Sequence, residues 1–351
     1  MSITYEQALH GSPSDKGEYV KSLRFMHRNL ERVLREVERH MIPGAGLSLT
    51  VVVGPAGVGK TTFAALQTEA LLKLYEVEIR ENPGVIPVVL NSIDAADGKE
   101  MNWQLFYQHL LDDLHTLAPE IPTQPGNGRR LGDIVKGYRF AFEEALRNRK
   151  TRNLLLDEAV HLTDSKSNPL QYGNLLKSIC NRGGTNLLLL GAYGSEMLVR
   201  ASGQIARRIG VVHFPRYYDN QDDFDAFTQF IKGLAEHFPL PFEVDLGKYV
   251  EKLFDAHLGI PGYAVKTLVR AVIACAYDGC NSWKDEYVWN SLPSEAEYET
   301  IAAETLEGEQ NIKPYLTSPH PVAYPSQAEI LARLAAARAR RSGDGSGGLR
   351  R

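Results

Sequence analysis

Between residues 19 and 40 the apolar side chains Val20, Leu23, Met26, Leu30, Val33, Leu34 and Val37 recur three and four apart, a spacing that predicts one amphipathic helix ending at the Pro43–Gly44 break. Short apolar runs at 47–53, 85–90, 153–158 and 186–191 read as buried strands, and helical periodicity lies between them at 101–114, 131–148 and 170–180. The Pro- and Gly-rich stretch 116–130 reads as a connector. Short apolar strands alternating with amphipathic helices predict an α/β fold, a parallel sheet with helices on both faces. After Pro215 the pattern turns helical at 224–237, 246–258 and 263–277, with no convincing strand, and this predicts a small all-helical lid. From Gly308 the chain reads as irregular, followed by an Ala/Arg-rich helix at 327–341 and a Gly/Ser tail at 342–351. The expected division is a helical segment at 1–42, an α/β core at 43–218, a lid at 219–306 and an extension at 307–351.

The strand at 47–53 runs directly into Gly54, Pro55, Ala56, Gly57, Val58, Gly59, Lys60, Thr61 and Thr62, after which helical pattern resumes at Phe63, Ala64 and Leu66. Glycines packed this closely let several backbone N–H groups converge on phosphates, and the helix that follows adds its positive N-terminus. In such a loop Lys60 reaches the β and γ phosphates and the Thr61 hydroxyl holds Mg²⁺. The helix expected before the loop should flank the adenine. ATP and Mg²⁺ are the expected ligands.

The run Asn153, Leu154, Leu155, Leu156 ends in two carboxylates, Asp157 and Glu158. Asp157 is the expected second Mg²⁺ contact, and Glu158 the base that polarises an attacking water. An acidic helix cap after a strand gives the same residues without chemistry, but the upstream phosphate loop favours the catalytic reading.

Length suits an ATPase core with appendages: 351 residues with 43% hydrophobic content are enough for a sizeable core. Cys180, Cys275 and Cys280 have neither paired nor zinc-like spacing, which fits reduced thiols. No apolar run approaches a membrane span and the start of the chain lacks secretory signal character, so a cytoplasmic protein is expected. The net charge of −4 conceals two basic stretches. Residues 129–152 hold eight lysines or arginines against three acids, and residues 200–216 hold four arginines and no acid. Such stretches are commonly solvated helix faces, with nucleic acid as the functional alternative; Arg147, Arg149 and Lys150 are candidates to contact a DNA backbone.

An α/β core with a helical lid is the plan of AAA+ ATPases, and within them the chain resembles the TnsC/TniB type of transposition regulator. The resemblance is carried by Ser202-Gly203-Gln204-Ile205-Ala206-Arg207-Arg208 and His213-Phe214-Pro215-Arg216-Tyr217, and it spans residues 24–275. It implies a bacterial ATPase that assembles as rings or filaments on double-stranded DNA and recruits a transposase, with target-selection proteins as further partners, in Tn-seven-like or CRISPR-associated elements. It also implies that Arg207 or Arg208 acts as an arginine finger on a neighbour's nucleotide, against the simpler reading of a helix C-terminal cap. Lys99 is the leading DNA contact, because its loop lines the channel in ring-forming relatives. Two positions depart from the pattern. Ala192 stands where a polar phosphate sensor is common, flanked by Tyr193 and Ser195, and Gly262 stands where many relatives carry an arginine, leaving Lys266 one turn on as the substitute. Slow, DNA-stimulated hydrolysis would follow. The alternatives are a helicase loader or replication initiator of similar plan and a signalling switch with incidental hydrolysis; a small-molecule kinase is disfavoured by the lid and the paired arginines.

Overall fold

The computed structural model describes residues 3–42, 47–94, 101–117, 131–163, 176, 184–201, 206–316, 327–332 and 335. At its centre is a five-stranded sheet in the order β2-β3-β4-β1-β5, built from β1 (Leu49–Val53), β2 (Val88–Ser92), β3 (Asn153–Asp157), β4 (Asn186–Gly191) and β5 (Ile209–His213). Every pairing is parallel, with Val53 level with Gly191 on one side and His213 on the other, and Ser92 level with Asp157. Leu154, Leu155, Leu156, Val51 and Val52 have no solvent exposure. Strands covered on both faces read as continuous apolar runs, which is why the sequence marked them.

Two strands differ from expectation. β2 starts at Val88 rather than at 85 because Pro87 has no N–H for the ladder; its carbonyl instead receives the amides of Arg152 and Asn153. The edge strand β5 was not expected at all, since its five residues include Gly210. A Cβ at Gly210 would lie 2.4 Å from His40 Nδ1, so the glycine admits the helix packed beside it.

The helices, in chain order, are α1 (Tyr5–His10), α2 (Pro13–Ser22), α3 (Arg28–Met41), α4 (Lys60–Leu74), α5 (Glu76–Glu81), α6 (Trp103–Asp113), α7 (Leu131–Asn148), α8 (Gln221–Ala235), α9 (Val250–Ala256), α10 (Pro261–Tyr277), α11 (Asp285–Trp289) and α12 (Glu295–Ile312). α7 and β4 match their expected bounds. The single helix expected at 19–40 is two, because its halves serve different cores. Tyr19 and Val20 of α2 join the lid cluster around Phe227, Tyr249 and Leu268, whereas Leu30, Val33 and Val37 of α3 pack on the sheet with Phe63 and Val212. One straight helix cannot face both, and the chain breaks at Leu23 and His27, which take extended conformations.

The expected lid helix at 246–258 is shorter, a 3-10 turn at Gly247–Tyr249 leading into α9. Of the stretch read as irregular from Gly308, residues 308–312 belong to α12, whose start is closed by a capping box between Ser294 and Glu297, and Lys313–Tyr315 form a 3-10 turn. The buried residues of α12 are Thr305, Gly308 and Ile312, of which only Ile312 is a large apolar side chain, so little apolar periodicity shows. The helix expected at 170–180 lies outside the described residues except for helical Leu176. Residues 316–351 form a separate unit, in which 327–332 and 335 are helical and the rest of the expected 327–341 helix lies outside the described residues.

Candidate nucleotide site

The site is assembled from the C-terminal ends of the central strands, where open parallel sheets place their ligands. Gly54 leaves β1 with its amide on the Gly191 carbonyl at 3.3 Å, and the amide of Phe214, just after β5, donates to Val53 at 2.8 Å. The loop can turn into α4 only with positive φ at Gly57 (78°) and Gly59 (111°), a region costly for residues with a Cβ. At the start of α4, Lys60 folds back so that Nζ donates to the carbonyls of Gly54 and Pro55, each at 2.9 Å. Burial pushes its pKa down to about 8, against the pull of Glu158 and Asp157. One residue on, Thr61 Oγ1 donates to Asp157 Oδ2 at 2.9 Å, joining the loop to the end of β3. Glu158 is exposed, its backbone is left-handed at φ 57°, and its amide donates to Asp157 Oδ1 at 2.9 Å.

This donor set fits a Mg²⁺-bound triphosphate. A hydroxyl and a carboxylate already within hydrogen-bond distance are the hard oxygen ligands Mg²⁺ prefers, and Lys60 is a buried cation held at the loop by carbonyls alone. Residues 45–198 match the family model described as AAA domain. The chain has the AAA+ P-loop NTPase fold. Among solved structures it is similar to the Aeropyrum pernix ORC2 protein in its ADPNP–ADP complexes (TM-score 0.51, 17% identity, covering 90% of this chain and 88% of that one). It is also similar to the Aeropyrum pernix ORC1 protein in complex with DNA (TM-score 0.51, 16% identity, 90% and 83%). No curated protein matches the sequence.

Beside this loop, a cavity of about 510 Å³ is lined by Gly57, Val58, Thr62, Phe25, His27 and Val265 among others. The extended segment between α2 and α3, not a helix, supplies Leu23, Phe25 and His27 to this wall. His27 shares a 2.9 Å hydrogen bond between Nδ1 and the Tyr217 hydroxyl and stacks on Phe214, and burial, with Arg28 nearby, holds its pKa near 4. The sequence marked Phe214 to Tyr217 only as a family motif. In the fold they form the hinge from sheet to lid: Asn29 donates to the carbonyls of Pro215 and Arg216, and Arg216 pairs with Glu309 at 2.8 Å. A buried polar residue just before a helix, as His27 is, was the signal available in the sequence.

The remaining candidates scatter. Lys266 is exposed on α10 and lines the same cavity as Gly57 and Thr62. Gly262 has its explanation in packing, since a Cβ there would meet the Gly57 carbonyl oxygen at 2.3 Å. Ala192, where the resemblance leads one to expect a polar phosphate sensor, carries no polar group; Tyr193 hydrogen-bonds His213 at 3.0 Å, and the Ser195 hydroxyl is fully buried without a partner. Arg207 and Arg208 are exposed in the turn before β5, where the Arg208 carbonyl receives the amides of Ser48 and Leu49. That is the opposite end of the sheet from Gly54. Arg147, paired with Glu144, and Lys150, in a left-handed turn, precede β3 at that same far end. Arg149 is committed to the carbonyls of Leu114, His115 and Gly84. Lys99 and Gln204 lie outside the described residues. Among the described residues no helix is long and apolar enough to cross a membrane.

Proposed function

We propose that the protein is a Mg²⁺-dependent ATPase that assembles with copies of itself on double-stranded DNA, and that it regulates DNA transposition by recruiting or activating a transposase. The ATPase reading is carried by one observation, the 2.9 Å bond between Thr61 at the phosphate loop and Asp157 at the end of β3, with Glu158 next in sequence. Lys60 and the loop amides hold the β and γ phosphates, Thr61 and Asp157 hold the metal, and Glu158 orients water and takes its proton. Mg²⁺, when bound, neutralises charge building on the phosphate oxygens.

Self-assembly is supported by the position of Arg207 and Arg208. β1 alone separates Ser48 from Gly54, about 20 Å at roughly 3.3 Å per residue, so neither guanidinium reaches the γ phosphate of its own subunit. An arginine finger from this turn acts on a neighbour. Lys266, Arg147 and Lys150 are assigned lesser roles, the first on the nucleotide and the others on DNA phosphates together with Lys99. The transposition role rests on the run from Gln204 to Tyr217. A replication-initiator or helicase-loader role is the second reading, favoured by the likeness in fold to the ORC proteins. Electron microscopy with duplex DNA and a slowly hydrolysed ATP analogue tests the assembly: rings or filaments around the duplex are expected, and discrete monomers would refute it.

A further inference from the structure

α12 faces the first residues of the phosphate loop, Pro55 and Ala56, across a shared cavity. Gly308 lies face-on to Tyr193, where a Cβ would come within 2.1 Å of the ring, and Glu309 accepts from Arg216 at 2.8 and 3.3 Å. Both side chains of that pair are nearly buried, at 14% and 13% exposure, and Arg216 also donates to the Leu258 carbonyl beside the lid hinge. Beyond the helix, Arg200 lies over the Tyr315 ring at 4.9 Å. Between α12 and the loop is a cavity of about 740 Å³, lined by Pro55 and Ala56 on one side and by Glu304 and Glu307 on the other. Nearer its start, Glu297 shares a cavity of about 370 Å³ with Lys266 and Arg270, two cations that also line the nucleotide cavity.

The helix carries six glutamates and no lysine or arginine. A triphosphate in the loop brings further negative charge to a partly enclosed space walled by Glu304 and Glu307, and it competes with Glu297 for Lys266 and Arg270. Glu304 and Glu307 are exposed, so this repulsion acts within about a Debye length and weakens with added salt. Resting on the nucleotide reading above, we propose that α12 is an autoinhibitory strap, latched by Glu309 on Arg216, that lies across the cavity beside Pro55 and Ala56 and is displaced when a triphosphate binds. Displacement uncovers the face beside Pro55 and Ala56 that a neighbour's Arg207 and Arg208 must approach. Because coupling between two sites is reciprocal, loosening the strap tightens nucleotide binding by the factor with which nucleotide loosens the strap.

Hydrogen exchange of residues 295–312 in the full chain, with and without a slowly hydrolysed ATP analogue and Mg²⁺, reads the strap directly, and a fluorescent form of the analogue reads affinity. Exchange in α12 is expected to rise on binding, and Glu309→Ala to raise it without nucleotide while tightening affinity about fivefold to thirtyfold. The charge swap Arg216→Glu with Glu309→Arg, which rebuilds the pair, is expected to bring affinity back toward wild type. Unchanged α12 exchange on binding, or a loosened α12 with affinity within twofold of wild type, overturns the strap and leaves the nucleotide reading standing. Failure of both wild type and Glu309→Ala to bind the analogue overturns the two together.

Discussion

The amide of Gly262, in the first turn of the lid helix α10, donates to the carbonyl of Gly57 at 2.8 Å, so lid and phosphate loop meet backbone to backbone. Lid position is thereby tied to loop geometry. Gly262→Ala places a Cβ against that carbonyl and should weaken nucleotide binding about tenfold, with a loss of about 1–3 kcal/mol in stability. Calorimetric titration and urea denaturation check both.

In the proposed role Lys60 holds phosphate only while charged, and burial lowers its pKa to about 8. Affinity for the ATP analogue should therefore fall about tenfold per pH unit above about 8. The same shift makes the unfolded chain bind more protons between about 8 and its ordinary value of about 10.5, so this group's penalty on the folded chain is relieved as pH rises through that window. Lys60→Arg, which stays charged, should lose the affinity slope in binding titrations from pH 7 to 9.5.

Thr61, Asp157 and Glu158 should separate by the step they serve. Thr61→Ala and Asp157→Asn are expected to lower affinity more than tenfold with Mg²⁺ and by less than threefold with EDTA. Glu158→Gln should bind nucleotide normally and slow turnover about 10²- to 10⁴-fold. Paired binding and phosphate-release assays make the distinction.

If the arginines before β5 act across subunits, two inactive proteins should complement each other. A variant with both Arg207→Ala and Arg208→Ala keeps an intact loop, and Lys60→Ala keeps intact fingers. Mixed on duplex DNA, they should recover up to about a quarter of wild-type turnover, since random mixing pairs an intact loop with an intact finger about one time in four. Strict additivity of the two residual rates would show that the finger acts within one chain or not at all.

Buried histidines set acid stability. Burial holds His27, His213 and His257 near pKa 4, below their ordinary 6.5, so the unfolded chain binds more protons between those values and stability falls as pH drops from about 6.5 to 4. Each contributes up to about 3 kcal/mol to that loss. His27→Gln should flatten the slope by one proton in denaturation at pH 4.5 to 7, with a constant penalty from the lost Tyr217 contact.

Local patterning was enough to mark the phosphate loop, the carboxylates Asp157 and Glu158, and four of the five strands, because each depends on residues adjacent in sequence: glycines permit the turn, and doubly covered strands are continuously apolar. β5 escaped because five residues with an inner glycine resemble any short loop. α12 escaped because it buries Thr305 and Gly308 rather than an apolar stripe.

Periodicity also identified the apolar face from Val20 to Val37, but not that its two halves lie against different cores. The strand order, the bond from Thr61 to Asp157, the pairing of Arg216 with Glu309 and the contact that excludes a side chain at Gly262 were decided by tertiary structure alone. The sequence determines what each segment can bury and which conformations its glycines permit. Which segments meet is settled by packing between residues that can lie 190 or more positions apart, and no local pattern encodes that.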